Sequence, residues 1–134
     1  MIRSDDTGKL ILRLGVGVLV LLHGIAKIGG GIGGISGMLA AHGIPAVFAY
    51  LVFVGELLAP LLVIAGLYTR PAAFVMAIDL LIAMWLAHPH DIGSLNRNGG
   101  WAVELEGIYL FGALALSFLG AGRFSVGGAS GRFN

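Results

Sequence analysis

Three ionisable side chains lie deep inside long apolar stretches of this chain, and their types suit proton chemistry. They are His23, Glu56 and Asp79. A charged group at the centre of a membrane-spanning helix costs roughly 2.5–3.5 kcal/mol even on lenient scales, so its presence asks for a reason. A carboxyl group or a histidine can take up or release a proton, and either can hydrogen-bond a ligand head group. The three residues are therefore candidate proton-handling or quinone-contacting groups.

A structural role is open for each of them as well. Glu56 and Asp79 can be neutral, or paired with a neighbouring polar group, and serve only to fix the register of packed helices. His23 can donate a hydrogen bond to a carbonyl group or ligate a metal. Lys27 follows His23 by one helical turn, so both side chains are expected to project to one side. The long side chain of Lys27 is expected to reach the membrane interface, and that of Arg13 to anchor at phosphate headgroups.

A second group of polar residues is predicted to gather at one end of the molecule, which we call the outer end. Its members are Lys27, His88, His90, Glu104 and Glu106. Glu104 and Glu106 are separated by roughly 200° around a helix, so only one of them can face the bundle axis. Imidazole and carboxylate both suit zinc or iron, but this spacing does not single out a metal site. A haem held by two histidines needs inward side chains at matched depth, which His23 and His88 offer only loosely, so neither metal nor haem is predicted.

The apolar stretches that carry these residues are long enough to cross a membrane. Hydrophobic residues make up 57% of the chain and charged residues 11%, with a mean hydropathy of +0.95, whereas a soluble domain carries about 25% charged residues. A spanning helix needs ~20 largely apolar residues. Four stretches come close to that length, and they are Lys9 to Ile28, Pro45 to Leu67, Pro71 to Ala87 and Trp101 to Leu119.

These stretches predict an all-α, integral membrane four-helix bundle with short loops, surrounded by the lipid bilayer. It forms a single transmembrane domain over residues 1–134. The segment Ile35 to His42 is too short to span, and we predict it as a short interfacial helix between the first two spans. The first stretch follows two aspartates and lacks a small-x-small cleavage motif, so it is predicted to be a retained span and not a signal peptide.

The basic residues predict an orientation in the membrane. Arg3, Lys9, Arg13, Arg70, Arg123 and Arg132 fall on one side of the four spans, and Lys27 and Arg97 fall on the other. Since lysine and arginine near span ends are retained in the cytoplasm, both termini of this multi-pass protein are predicted to be cytoplasmic. The net charge of +1 and the scattered basic residues argue against a nucleic-acid partner. The absence of cysteine excludes disulfides, thiolate metal sites and dithiol redox chemistry within the chain.

Short segments distributed along the chain together resemble the DoxX family. They are Arg13 to Gly17, Leu22 to Lys27, Gly43 to Pro45, Glu56 to Leu58, Gly66 to Arg70, Gly99 to Trp101 and Gly122 to Ser125. The resemblance covers essentially the whole chain in order. It implies a four-helix protein of a bacterial or archaeal cell membrane, the inner membrane where there are two, of a kind often found as an accessory part of membrane oxidoreductase systems. The family has no agreed catalytic set, so the resemblance implies a fold and a context and not a mechanism.

Two functions of different classes follow. In the first, the protein is an accessory or quinone-contacting subunit of a membrane oxidoreductase system, and His23 and Glu56 handle protons near the head group. The chain has no electron-transfer cofactor motif, so a protein partner would supply the electrons. In the second, the protein is a non-enzymatic anchor, assembly factor or small-solute transporter. A transport site in so small a bundle would require a homo-oligomer or packing against another protein.

Overall fold

The computed structural model describes residues 4–134, and over this part of the chain the fold is all-helical. The α-helices are α1 (Ser4–Gly30), α2 (Gly33–Ala41), α3 (Ala59–Ala65), α4 (Thr69–Ala87) and α5 (Glu104–Leu119). Within the described residues, paired β backbone is limited to a single bridge between Leu95 and Trp101 in the loop before α5. The prediction of an all-α membrane bundle is confirmed, and the predicted short helix between the first two spans is present as α2. Arg3 lies outside the described residues.

The second apolar stretch is helical throughout but irregular. It begins as a 3₁₀ helix at Ala46–Leu51, passes through a π-helical turn at Val54–Leu58 and continues as α3. Pro60 lies just inside α3 and has no N–H group, so the carbonyl of Glu56 loses its usual partner four residues later. A π turn shifts the bonding pattern to the fifth residue, as in the bond from the Ala59 N–H to the Val54 carbonyl. Glu56 lies in this π turn.

Three of the described helices are long and apolar enough to cross a membrane. They are α1 with 27 residues, the continuous helix Ala46–Ala65 with 20 and α4 with 19. Helix α5 has 16 residues, which corresponds to a length of about 24 Å at 1.5 Å per residue. The number of spans therefore stays a prediction. Large apolar side chains cover the outside of the bundle, as expected for a surface in contact with lipid.

The core of the bundle is built around α4, which packs against both α3 and α5. Met76 of α4 is fully buried, together with Val20, Val63 and Leu116 from the helices around it. Small residues bring the helices close, because van der Waals contact and not a hydrophobic force holds helices together in lipid. At Gly24 the backbone of α1 passes so near the π turn that a methyl group would collide with the Glu56 carbonyl.

We expect Gly24→Ala to lower the free energy of unfolding by about 2 kcal/mol, because overpacking against backbone can be relieved only by separating α1 from the π turn. Thermal unfolding in mild detergent measures this. Gly15→Ala on the same helix is the matched control, since its new methyl group would meet nothing within 4 Å. The control is expected to be neutral or slightly stabilising. Equal melting temperatures for the two variants would contradict the close approach at Gly24.

The chain after α5 folds back across the end of the bundle where α1 begins. Arg13 is 3% exposed, and its two terminal nitrogens donate hydrogen bonds to the carbonyls of Ala121 and Phe124, each at 2.7 Å. The expectation that Arg13 anchors at phosphate headgroups was therefore wrong. Its side chain is used inside the protein because the returning segment offers carbonyl groups that no helix satisfies.

Two further polar side chains fix the same segment, residues 120–134. The buried carboxylate of Asp6 accepts a hydrogen bond from the backbone N–H of Arg123 at 3.1 Å. The side-chain oxygen of Asn134 accepts from the Thr69 hydroxyl at 2.9 Å, and its amide nitrogen donates to the Gly66 carbonyl at 2.9 Å. The segment thus satisfies the polar groups where α3 ends and α4 begins.

Candidate functional site

A cavity of about 410 Å³ lies beneath α2. Its walls are apolar side chains from α2, from the 3₁₀ helix and from the second half of α4, including Leu39, Phe48 and Leu86. The ring of His42, which follows α2, packs at a tilt against Trp85 of α4 with the ring centroids 4.7 Å apart. This contact helps to hold α2 over the cavity.

One region of the cavity wall is charged and differs from the rest. Lys27, Glu56 and Asp79 contribute to the lining there, one from each of three helical segments: α1, the π turn and α4. We call these three residues the polar end of the cavity. The structure thus brings together two of the three candidate mid-span residues, and it adds a cation that the sequence analysis assigned elsewhere.

Lys27 and Glu56 form an ion pair at the polar end. The Lys27 ammonium donates to Oε2 of Glu56, and the side chains are 27% and 6% exposed, respectively. The expectation that Lys27 extends to the membrane interface was wrong. The close approach of α1 to the π turn at Gly24 places the Glu56 carboxylate within reach of a lysine one turn further along α1. The Lys27 ammonium is thus paired with a carboxylate inside the protein and does not extend to the headgroup region.

Asp79 lies beside this pair but is not bonded to it. Its Oδ2 atom is buried and has no hydrogen-bond partner among residues 4–134. Its carboxyl group rests against Gly55, where an added methyl group would collide with it. The absence of a side chain at Gly55 therefore makes the room that the Asp79 carboxyl occupies.

The charges of the polar end do not balance within the part of the chain that the structure describes. Two carboxyl groups share the cavity wall with one ammonium, and Glu56 takes that ammonium. An ionised carboxylate without a partner in apolar surroundings is costly. The arrangement is relieved either by a proton on Asp79 or by a molecule that donates a hydrogen bond to it. In either case Asp79 is the carboxyl group of the polar end that is left without a partner among residues 4–134.

His23 does not share this site. It is exposed on α1 and meets Tyr109 of α5 edge to face, with the ring centroids 6.0 Å apart. His23 and Lys27 project from neighbouring turns, as expected, but the first contacts α5 and the second the π turn. The roughly 40° between positions four residues apart on a helix is enough to send them to different neighbours.

The outer polar residues are only partly brought together. The His88 ring lies between two carboxylates, with Nδ1 3.3 Å from Asp91 Oδ2 and Nε2 3.5 Å from Glu106 Oε1. Glu106 is half-buried while Glu104 is exposed, and His90 is exposed as well. The two carboxylates face opposite nitrogens of one ring and so do not converge on a point. Over residues 4–134, no three histidine, aspartate or glutamate side chains are grouped so as to hold a metal ion.

The three residues at the polar end of the cavity lie in a part of the chain that matches a known protein family. The family model for DoxX matches residues 8–89, which is more than half of the chain. The chain belongs to the DoxX family. DoxX proteins are small integral membrane proteins. The matched region of this DoxX protein contains most of α1 and all of α2 to α4, with Lys27, Glu56 and Asp79, whereas α5 and the returning segment lie beyond it.

Two relatives from bacteria are similar in sequence to this DoxX protein. A protein of Bacillus subtilis (strain 168) described as "Putative oxidoreductase CatD" is 33% identical over 84 residues, which are 63% of this chain and 62% of that protein. The chain therefore spans less than two thirds of the length of that relative. An uncharacterized protein of Haemophilus influenzae (strain ATCC 51907 / DSM 11121 / KW20 / Rd) is 33% identical over 118 residues, which are 86% of this chain and 84% of that protein. No solved structure matches the chain significantly.

Sequence reasoning missed the π turn and the ion pair that shape the site of this DoxX protein. Pro60 inside an apolar stretch signals a local break in helical bonding, and here it follows the π turn that carries Glu56. Gly24 and Gly55 each mark a place where another group approaches the backbone closely. The pairing of Lys27 with Glu56 left no local signal, because 29 residues separate the two positions.

Proposed function

We propose that this DoxX protein is a quinone-contacting accessory subunit of a membrane oxidoreductase system, with Glu56 and Asp79 as its proton-handling groups. The observation that supports this proposal is the cavity beneath α2, which is apolar except for one charged end. Small-molecule sites are typically ≈ 300–1,000 Å³, largely apolar, with a few convergent polar groups. The cavity has all of these properties.

The residues at the polar end suit a quinone head group. Reduction of a quinone consumes two electrons and two protons, so its site needs groups that can hold protons near the ring oxygens. Asp79 has a carboxyl oxygen without a partner in the described chain, and Glu56 shares the cavity wall. Lys27 is a donor that can orient a ring oxygen while it pairs with Glu56. Apolar walls on α2 and α4 suit the ring and the start of the hydrocarbon tail.

His23 has no part in the proposed site, because it contacts α5 and not the cavity. The electrons are proposed to come from a protein partner, since the chain carries no cysteine and no cofactor motif of its own. The name of the Bacillus relative, which includes the word oxidoreductase, agrees with a redox context.

We further propose four spans in a bacterial or archaeal cell membrane, with both termini in the cytoplasm. Helix α5 packs along α4 and α1 as a member of the bundle, although its 16 residues are fewer than a typical span. The positive-inside rule gives the orientation. The returning segment and Arg13 would then lie on the cytoplasmic side, and α2 with its cavity toward the outer side.

Quinone content tests the proposal directly. The protein is purified in nanodiscs from its host membrane, its ultraviolet–visible spectrum is recorded before and after chemical reduction, and a solvent extract is analysed for quinone. We expect a reducible quinone band near stoichiometric amount. Asp79→Ala is expected to raise the Kd of the hydroquinone form about tenfold, which corresponds to the loss of about 1.4 kcal/mol of binding free energy, and so to lower the quinone content. Glu104→Gln, which changes an exposed carboxylate elsewhere, is the control and should retain it.

Glu56→Gln separates a proton role from a packing role. Either role predicts a lower melting temperature, because the change breaks the ion pair with Lys27. A proton role predicts in addition that the assembled protein loses quinone-dependent activity, whereas a packing role predicts unchanged activity per assembled protein. A well-folded parent protein without quinone in the nanodiscs would contradict the proposal and favour the anchor, assembly or transport function.

A further inference from the structure

The acceptor-rich chemistry of the polar end restricts what the cavity can bind. We propose that its ligand carries a hydroxyl group that donates a hydrogen bond to Asp79, as in a phenol or hydroquinone with an apolar tail. The proposal rests on the proposed function only in taking the cavity beneath α2 as the ligand site. It adds the form of the head group that the site prefers and the residue that recognises it.

The first argument is a count of donors and acceptors. Two carboxyl groups offer four oxygens with about eight lone-pair positions when ionised, whereas one ammonium offers three N–H groups; a proton on Asp79 would raise the donors only to about four, so acceptors remain in excess. Glu56 already engages the Lys27 ammonium, and Oδ2 of Asp79 is left buried without a partner within residues 4–134. A ligand that only accepts hydrogen bonds, such as an ether, adds to this excess. A ligand that donates one corrects it.

The second argument is the shape and polarity of the rest of the cavity. Away from the three charged residues the lining is almost entirely apolar, with Phe48 and Trp85 as its aromatic members. A ligand therefore has one place to put a polar group, beside Asp79, while its remaining surface must be hydrocarbon or aromatic ring. A volume of about 410 Å³ accommodates a substituted ring with a short tail.

The third argument is that Asp79 is held in place for contact with a ligand. Its carboxyl group lies against Gly55 of the π turn, in space that exists because Gly55 has no side chain. Gly55 is thus a positioning residue. A methyl group at this position would displace the carboxyl without removing it, which separates the location of Asp79 from its charge.

The test uses two redox-inert probes that differ only in the donor, 4-hexylphenol and its methyl ether 4-hexylanisole. The protein is placed in nanodiscs and carries Trp101→Phe, so that Trp85 at the cavity wall is the single remaining tryptophan of the two. Saturable change of Trp85 fluorescence gives each Kd, expressed per probe concentration in the lipid phase. We expect the phenol to bind about tenfold more tightly than the ether, as one charge-assisted hydrogen bond implies.

Variants assign the preference to Asp79. Asp79→Ala is expected to bring the two Kd values together by weakening the phenol and not the ether. Glu104→Ala is the matched control and should keep the tenfold ratio. If Asp79→Ala does not fold, as judged by its melting temperature, Gly55→Ala replaces it and is expected to reduce the ratio while retaining the carboxyl group.

Three results would overturn the inference: equal affinity of the parent protein for phenol and ether, no saturable binding of either probe, or an unchanged ratio when Asp79 is removed or displaced. Because the probes carry no redox chemistry, the outcome is separate from that of the quinone measurement. Phenol selectivity in a protein that contains no quinone would uphold the recognition by Asp79 and contradict the oxidoreductase role.

Discussion

Replacing Lys27 with methionine is expected to lower the free energy of unfolding by about 3 kcal/mol. Breaking a buried ion pair by removing one partner typically costs 3–5 kcal/mol, since the remaining charge is left uncompensated, and the 27% exposure of Lys27 places this pair at the lower end. The variant leaves both Glu56 and Asp79 at the cavity wall without a cation. Thermal and denaturant unfolding in one detergent measure the effect.

A double-mutant cycle separates the energy of the ion pair from the effect of changing the packing of each side chain. Lys27→Met combined with Glu56→Met removes both charges and is expected to be more stable than Lys27→Met alone. Lys9→Met is the control, because Lys9 pairs at 3.2 Å with Asp5, whose side chain is 59% exposed, against 6% for Glu56. A surface pair of this kind is worth about 0.5 kcal/mol or less. If Lys27→Met and Lys9→Met lower the free energy of unfolding by the same amount, the pair with Glu56 contributes no more to stability than the control pair does.

Replacing Arg13 with alanine is expected to destabilise the protein by about 3 kcal/mol and to release the returning segment. Hydrogen bonds from a charged donor contribute about 1.5–3 kcal/mol each, and Arg13 makes two, to the carbonyls of Ala121 and Phe124. Their loss leaves those acceptors without their guanidinium partner at the end of α5. The melting temperature reports the stability, and limited proteolysis within residues 120–134 reports the release.

The control for Arg13 is Arg123→Ala in the same segment. The Arg123 side chain is exposed, and only its backbone N–H bonds to Asp6, so the change is expected to stay within about 0.5 kcal/mol. If Arg13→Ala resists proteolysis as well as the control does, the guanidinium contacts do not hold the segment. Anchoring at headgroups would then be the better account of this arginine.

The positions of the helices could be read from the sequence because the membrane leaves little choice. A long apolar stretch in lipid must satisfy its own backbone hydrogen bonds, and a helix does so within one segment. The predicted stretches Lys9 to Ile28 and Pro71 to Ala87 accordingly lie within α1 and α4, and the segment too short to span became α2. The position of Glu56 and Asp79 deep in the membrane-spanning helices could also be predicted, since each residue interrupts an apolar stretch.

The partners of the polar residues could not be read in this way, because they depend on how each helix is rotated and how closely it approaches its neighbours. Lys27 and Arg13 were expected to leave the protein for the headgroup region, and both are instead bonded inside it. The residues next to Lys27 do not indicate that its partner is Glu56, 29 positions away. Those next to Arg13 do not indicate a partner at Ala121, 108 positions away. His23 and Lys27 likewise diverge to different neighbours despite their shared side of α1.

Sequence alone thus determined that this protein is a helical membrane protein of the DoxX type with carboxyl groups in its apolar interior. These properties follow from composition, stretch length and short segments, all of which are local. Only the tertiary structure decided that Glu56 takes Lys27 while Asp79 is left as an acceptor in an apolar cavity. That outcome depends on the π turn before Pro60 and on the close approaches at Gly24 and Gly55. A glycine allows a close approach only where another helix packs against it, and this packing is a property of the tertiary structure.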